Sequence, residues 1–388
     1  MRIHVAIVSE QLLPTVIPCL MHRPDRVVLV ASRLMARQAQ RLQALLHESG
    51  IRSDIRGHAP DAGLEAIRTY ASRLADELEA GTPKAEVVLN ATGGTKLMTL
   101  GFVEVFRERA ERIIYTDTAH AQIEVLFDRQ KTEAEPEPMR DVLDVPRYLA
   151  VQGFRFERDA SQDTGRLERI ERRRGVARYL AREAPRLSGL ISLINKLAQK
   201  ALDPRERKLV EPVQALNSEP HGEWRKAFHR FVDVGLLQPA GSWAVRFADA
   251  EAAMFLGGGW LEEYAYAVAR DAGLYDVRLG VTGVWEGAGR ARNEFDLLAC
   301  HRNRLLFVEC KTLRFTEGEN DNELAYKVTS LGEDVRGLFG ATWVLTAQEP
   351  TPVLRDREKQ AGFLVIGPKF LGSLPRRVGL WKEGRSAS

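Results

Sequence analysis

Hydrophobic and polar positions alternate along this 388-residue chain in two rhythms. Toward the amino end, short apolar runs at 3–8, 26–30, 85–89 and 112–115 read as strands, and 33–48 and 62–80 between them read as helices. Strands alternating with helices build a parallel sheet covered on both faces. Ligands of such sheets sit at the carboxyl ends of the strands. The first of those ends carries Ser9, Glu10 and Gln11 in a loop that runs to Pro14.

A different rhythm appears at 293–312. Phe295, Leu297 and Ala299 fall on one face of a strand, and Glu294, Asp296 and Leu298 on the other; 305–312 is a second strand, with Arg302-Asn303 as the turn. If those two residues are the whole loop, antiparallel partners have numbers summing to 605, which sets Asp296 opposite Glu309 and Glu294 opposite Lys311. Like charges directly opposite on a sheet destabilise it. A bound Mg²⁺ or Mn²⁺ offsets that repulsion, because hard divalent ions take carboxylate oxygens and activate water. Lys311, two residues from Glu309, shares its face and is placed to orient the attacking water. Taken alone, such a cluster is more often a solvated sheet face than a site; the flanking sequence shifts that balance. Cys310 alternates away from its neighbours into the sheet, and its backbone carbonyl is a further candidate for the metal shell.

Upstream, Gly257-Gly-Gly-Trp-Leu-Glu-Glu leads into a helix with Leu261, Tyr264, Ala265 and Val268 on an apolar stripe. Glu262 and Glu263 occupy its first turn, where a carboxylate also serves the helix dipole. A glutamate-bearing helix, then a strand with Asp, then a strand with Glu-x-Lys, resembles the PD-(D/E)xK restriction-endonuclease fold. Glu262, Asp296, Glu309 and Lys311 take its motif positions, Glu262 being preferred to Glu263 because Gly-x-Trp-Leu-Glu is the form that matches.

At another strand end, Asn90-Ala-Thr-Gly-Gly-Thr-Lys-Leu-Met98 runs into the helix containing Leu97, Leu100, Val103 and Val105. Paired glycines and a helix N-terminus let an anion approach; an ordinary turn capped by Thr95 is the alternative. Walker A spacing is absent, so ATP hydrolysis is not indicated. The element resembles the nucleotide-binding loop of CARF domains, the sensors of type III CRISPR systems. A CARF domain joined to a PD-(D/E)xK domain is similar to the CRISPR ancillary nucleases. That resemblance implies an α/β fold with an N-terminal Rossmann-like CARF domain and a C-terminal restriction-endonuclease-like domain. It further implies a homodimer, activation by cyclic oligoadenylate (cyclic tetra-adenylate above all), and metal-dependent cleavage of DNA, RNA or both in antiviral defence. Carried over by position, the ligand loops are Ser9, Glu10 and Gln11 with Asn90, Thr92, Gly93, Gly94, Thr95, Lys96 and Met98.

The expected division is a sensor at 1–130, a linker and helical, winged-helix-like connector at 131–250, and a nuclease at 251–388. The charged stretch 131–138 marks the linker. Between 155 and 186 stand ten arginines against six acids, either a nucleic-acid footprint or a solvated, ion-paired helix face. Segments 187–202 and 224–237 read as helices and 242–247 as a strand; downstream, Lys327 lies on an expected helix. The rival function is a nucleotide-responsive DNA-binding regulator, which needs no metal and concentrates its cations on one recognition helix.

Composition adds exclusions. No run of about 18 apolar residues suggests a membrane span, and no secretory signal is visible, so a cytoplasmic site is expected. Cys19, Cys300 and Cys310 have no metal-ligand spacing and form no evident disulfide framework. A net charge of +3 is mild, so polyanion binding must come from local patches.

Overall fold

The computed structural model describes residues 1–82, 84–241, 243–287, 292–313, 328–332, 335, 337 and 340–386. Two compact units result, the first of 1–155 with 285–287 and the second of 156–284 with the described residues after 287.

In the first unit the strands are β1 (Arg2–Ile7), β2 (Arg26–Val30), β3 (Arg52–Arg56), β4 (Glu86–Asn90), β5 (Arg112–Asp117), β6 (Gln122–Asp128) and β7 (Glu137–Pro138). Interleaved helices are α1 (Leu13–His22), α2 (Ala36–Glu48), α3 (Leu64–Gly81) and α4 (Lys96–Phe106), with α5 (Val145–Gln152) closing the unit. The sheet order is β3-β2-β1-β4-β5-β6-β7. Strands β1 to β5 are parallel; β6 and β7 return antiparallel. Order reverses between β1 and β4, so a crevice opens at their carboxyl ends, where both expected ligand loops begin. Segment 131–138, expected as linker, instead contributes β7 to this sheet.

The second unit starts along β8 (Phe154–Arg158) and continues into α6 (Thr164–Ala201), one helix of 38 residues. Its apolar stripe, from Ile170 through Leu180, Leu187 and Ile194, is buried in the same core as Leu297, Val308 and Leu345 of the sheet. The connector expected at 131–250 is therefore no separate body. Its first part belongs to the first unit, and from 156 onward it shares the core of the second, where the apolar stripe of α6 is buried. A small sheet of β9 (Val213–Ala215), β10 (Leu237–Pro239) and β11 (Ala244–Phe247), with helix α7 (Gly222–Asp233), makes the winged-helix-like part.

Next come α8 (Ala250–Met254), a π-helical turn at Phe255–Gly259, α9 (Trp260–Asp271), β12 (Asp276–Trp285), β13 (Arg292–His301), β14 (Arg304–Lys311) and β15 (Ala341–Thr346). They are followed by α10 (Pro352–Ala361), β16 (Leu364–Ile366), α11 (Pro368–Leu371) and α12 (Leu374–Lys382). The main sheet runs β16-β15-β14-β13-β12-β8. Lys327 lies outside the described residues. Among the described residues no helix is long and apolar enough to cross a membrane.

Candidate functional site

The hairpin carries the chemistry. Arg302 and Asn303 adopt φ of 50° and 54°, the double left-handed geometry of a two-residue turn. Paired residues from His301 with Arg304 to Leu297 with Val308 keep the sum of 605. Beyond Leu297 the pattern changes. Leu297 and Ala299 join the core that contains Leu306 and Val308, whereas Phe295 stacks edge-on against Phe307, ring centroids 5.3 Å apart, on the other side. The expected alternation is thus interrupted at Asp296, the register position facing Gly280, whose φ is 59°. Instead of facing Glu309 as a simple cross-strand partner, Asp296 accepts the Cys310 backbone N–H through Oδ2 at 2.7 Å.

Glu309 is completely buried and meets Lys311 Nζ at 2.9 Å through Oε1. Burial disfavours the Lys311 ammonium, but the Glu309 carboxylate outweighs it and raises the lysine above its usual range. Burial, with the Glu309 and Glu262 carboxylates, drives the Asp296 carboxyl well up. The Cys310 thiol is buried and pushed up by burial first and then by the same three acids, so it is a protonated core group.

Helix α9 delivers the third acid. Gly258 has φ 142°, and a Cβ there would lie 2.8 Å from Thr312 Oγ1. The glycines thus let the start of α9 press against the end of β14. The two first-turn glutamates then diverge. Glu263 is 3% exposed and is held by the Arg173 guanidinium, with Nε donating to Oε2 at 2.8 Å. Glu262 is half-buried; burial, reinforced by Glu294, Glu263 and Glu309 and opposed by Arg166, pushes its carboxyl up to about 7. Among the described residues no three His, Cys, Asp or Glu side chains stand close enough to hold a metal as they are. The donor set fits a hard divalent cation in kind: neighbouring carboxylates help to raise the proton affinity of Asp296 and of Glu262, the repulsion a cation relieves.

In the first unit, the loops after β1 and β4 are laced together. Asn90, 1% exposed, donates through Nδ2 to Pro14 O at 3.2 Å and accepts the Thr92 backbone N–H at 3.1 Å and its hydroxyl at 2.6 Å. Thr92 Oγ1 in turn accepts the Thr116 N–H at 2.8 Å. A Cβ on Gly93 would lie 1.9 Å from Ile7 O, and one on Gly94, at φ 83°, 2.5 Å from Ile7 Cγ2. Thr95 caps α4, its hydroxyl accepting the Met98 N–H at 3.2 Å. Met98 is core, and the buried face of α4 is Met98, Gly101, Phe102 and Phe106, whereas Leu97 and Leu100 are exposed. Asn90 and Met98 are accordingly scaffold; Ser9, Glu10, Gln11, Thr92, Gly94, Thr95 and Lys96 keep surface at the crevice. A 630 Å³ hollow beside Arg26, His47 and Arg52 lies at the amino ends of β2 and β3, away from these loops.

Residues 3–148 match the family described as Card1 CARF domain, and residues 249–384 that described as Card1-like, endonuclease domain. Among solved structures, protein VC1899 from Vibrio cholerae has a TM-score of 0.86 at 22% identity, covering 100% of this chain and 99% of that one. Can2 from Sulfobacillus thermosulfidooxidans, in complex with cyclic tetra-adenylate, gives 0.74 at 24% identity over 96% and 98%. A type III CRISPR defence DNA nuclease activated by cyclic oligoadenylate gives 0.50 at 19% over 92% of this chain and 51% of that one. No curated protein matches.

Proposed function

We propose that this chain, which joins a CARF domain to a Card1-like endonuclease domain, is a nuclease switched on by cyclic tetra-adenylate that hydrolyses nucleic-acid phosphodiesters with a divalent metal. The observation that carries the reading is the carboxylate set itself. Asp296 and Glu262 are half-buried against like charge and elevated in proton affinity, beside a Glu309–Lys311 pair. A fold meant only for stability would not retain such repulsion.

Asp296, Glu309 and Glu262 would hold Mn²⁺ or Mg²⁺, which supplies Lewis-acid polarisation of the phosphodiester and acidifies water. The chain's own groups do the rest. Lys311 stays protonated and is pinned by Glu309, so its remaining N–H bonds point a fixed positive charge at a phosphate oxygen or the attacking water. The Cys310 N–H fixes the Asp296 carboxylate by its Oδ2 and leaves the other oxygen for a cation.

In the sensor unit, the crevice between the β1 and β4 loops takes the ligand. Gly94 and the α4 N-terminus offer backbone N–H groups to a phosphate, Lys96 supplies charge, and Ser9, Gln11 and Thr92 supply polar groups for ribose and base. Two subunits would share one ring, and tighter binding to the active arrangement is what shifts the population. The protein acts in the cytoplasm on DNA, RNA or both. A regulator would array its cations on one recognition helix, but on α7 Lys226 faces Glu223 at 2.7 Å, Arg225 faces Glu219 at 3.2 Å and Arg230 lies over the Tyr179 ring.

The test is incubation with plasmid, single-stranded DNA and RNA, with Mn²⁺, with and without cyclic tetra-adenylate. Ligand-dependent cleavage that Glu309→Ala abolishes while ligand binding survives is the expected result. A Glu309→Ala protein that still cuts removes the site assignment.

A further inference from the structure

Three arginines of α6 are committed to acids. Arg173 holds Glu263, Arg174 pairs with Asp271, and Arg169 faces Glu251 at 3.5 Å. Arg166 sits two turns before Arg173 and so on the same face. Its backbone N–H bonds Asp163 Oδ1 at 3.1 Å, which closes the helix cap. Its side chain makes no hydrogen bond or ion pair among the described residues, although its Nε is sealed from water. A buried, unpaired guanidinium N–H is costly and calls for a partner.

Where Arg166 stands says what that partner is. Its charge acts on Glu262 and on Glu263, so it borders the carboxylate set of the nuclease centre. Glu263 is already neutralised by Arg173. Arg166 makes no bond to Glu262 either, and part of the side chain remains exposed. It is therefore a cation beside the centre with its donors unspent.

We infer that Arg166 is a substrate-binding residue of the nuclease centre, its guanidinium taking a phosphate of the nucleic-acid strand. The inference rests on the nuclease reading. Arginine suits the role because its planar fork meets two phosphate oxygens at once and stays charged at any working pH. Arg166 and Lys311 then approach the strand from different elements, α6 and β14. The remaining possibility is a counter-ion that only balances Glu262.

The experiment compares the full-length wild type with Arg166→Ala and Arg166→Lys. A fluorescein-labelled single-stranded oligonucleotide is titrated in EDTA at several salt concentrations, and cleavage is then followed with Mn²⁺ and cyclic tetra-adenylate. A phosphate contact predicts that Arg166→Ala weakens binding about tenfold or more and flattens the log–log salt dependence by about 0.7, with partial rescue by lysine. In the cleavage assay KM rises. A counter-ion predicts instead an unchanged salt slope and an altered pH dependence of Mn²⁺ binding. An oligonucleotide bound with the same slope by wild type and Arg166→Ala, or bound by neither, overturns the inference. The EDTA arm reads it without turnover, so a wild type that binds but cuts nothing counts against the nuclease reading alone.

Discussion

Glu262→Gln separates the cost of the nuclease centre from its use. The Glu262 carboxyl rises from an ordinary 4.5 to about 7 in the folded chain, chiefly through burial. A folded-state pKa above the unfolded one gives stability that is complete below pH 4.5 and is lost as pH climbs through 7. The interval is about 2.5 units, and at about 1.36 kcal/mol per unit the metal-free protein forfeits about 3 kcal/mol by pH 8. Linkage places about 2 kcal/mol of that loss between pH 5.5 and 8. Glutamine is nearly isosteric with the protonated acid and cannot ionise, so the variant escapes the loss. The assay is urea unfolding in EDTA followed by tryptophan fluorescence, which reports mainly the second unit because it holds Trp224, Trp243, Trp260, Trp343 and Trp381, against Trp285 in the first. Glu262→Gln should be more stable than wild type at pH 8 by up to about 3 kcal/mol, with the gap narrowing toward pH 5.5. Adding Mn²⁺ should narrow or reverse the gap, since ligation stabilises more strongly the protein that keeps all three carboxylates. Equal stabilities at pH 8, or a gap that does not change with pH, refute the reasoning.

Two further outcomes follow from the geometry. Arg173→Ala leaves Glu263 buried without its partner and should cost about 3–5 kcal/mol of second-unit stability by urea unfolding, much of it recovered in the Arg173→Ala/Glu263→Ala double variant. Gly93→Ala forces a Cβ to within 1.9 Å of Ile7 O, so the β1 and β4 loops must part; calorimetry should show cyclic tetra-adenylate affinity falling about tenfold or more, with Mn²⁺ binding unchanged.

Much of the fold was legible because burial leaves a local trace. The strands at β1, β2 and β4 are buried on both faces and therefore read as unbroken apolar runs. The hairpin register was legible as well, since Arg302-Asn303 suits a two-residue turn and such a turn leaves no freedom in pairing. By contrast β3, Arg-Ser-Asp-Ile-Arg, is a polar outer strand whose pairing comes from β2, and nothing in its own pattern announces it. Likewise, the 38-residue length of α6 was obscured by Pro185 and by its mixed charges; packing against the nuclease core carries the helix through.

For the sites, sequence alone settled which residue types are available and which share an element: Glu262 with Glu263, Asp296 with Glu294, Glu309 with Lys311, and the glycines at 93 and 94. Spacing cannot reveal which of two adjacent glutamates is left uncommitted. That was decided by Arg173, ninety positions away from Glu263, whose guanidinium claims Glu263 and leaves Glu262 against other carboxylates. The break in alternation at Asp296 belongs to the same class, because it depends on Gly280 across the sheet. Local chemistry travels with the chain, but charge balance and solvent exclusion are sums over neighbours brought together from distant positions, and those sums exist only once the chain has folded.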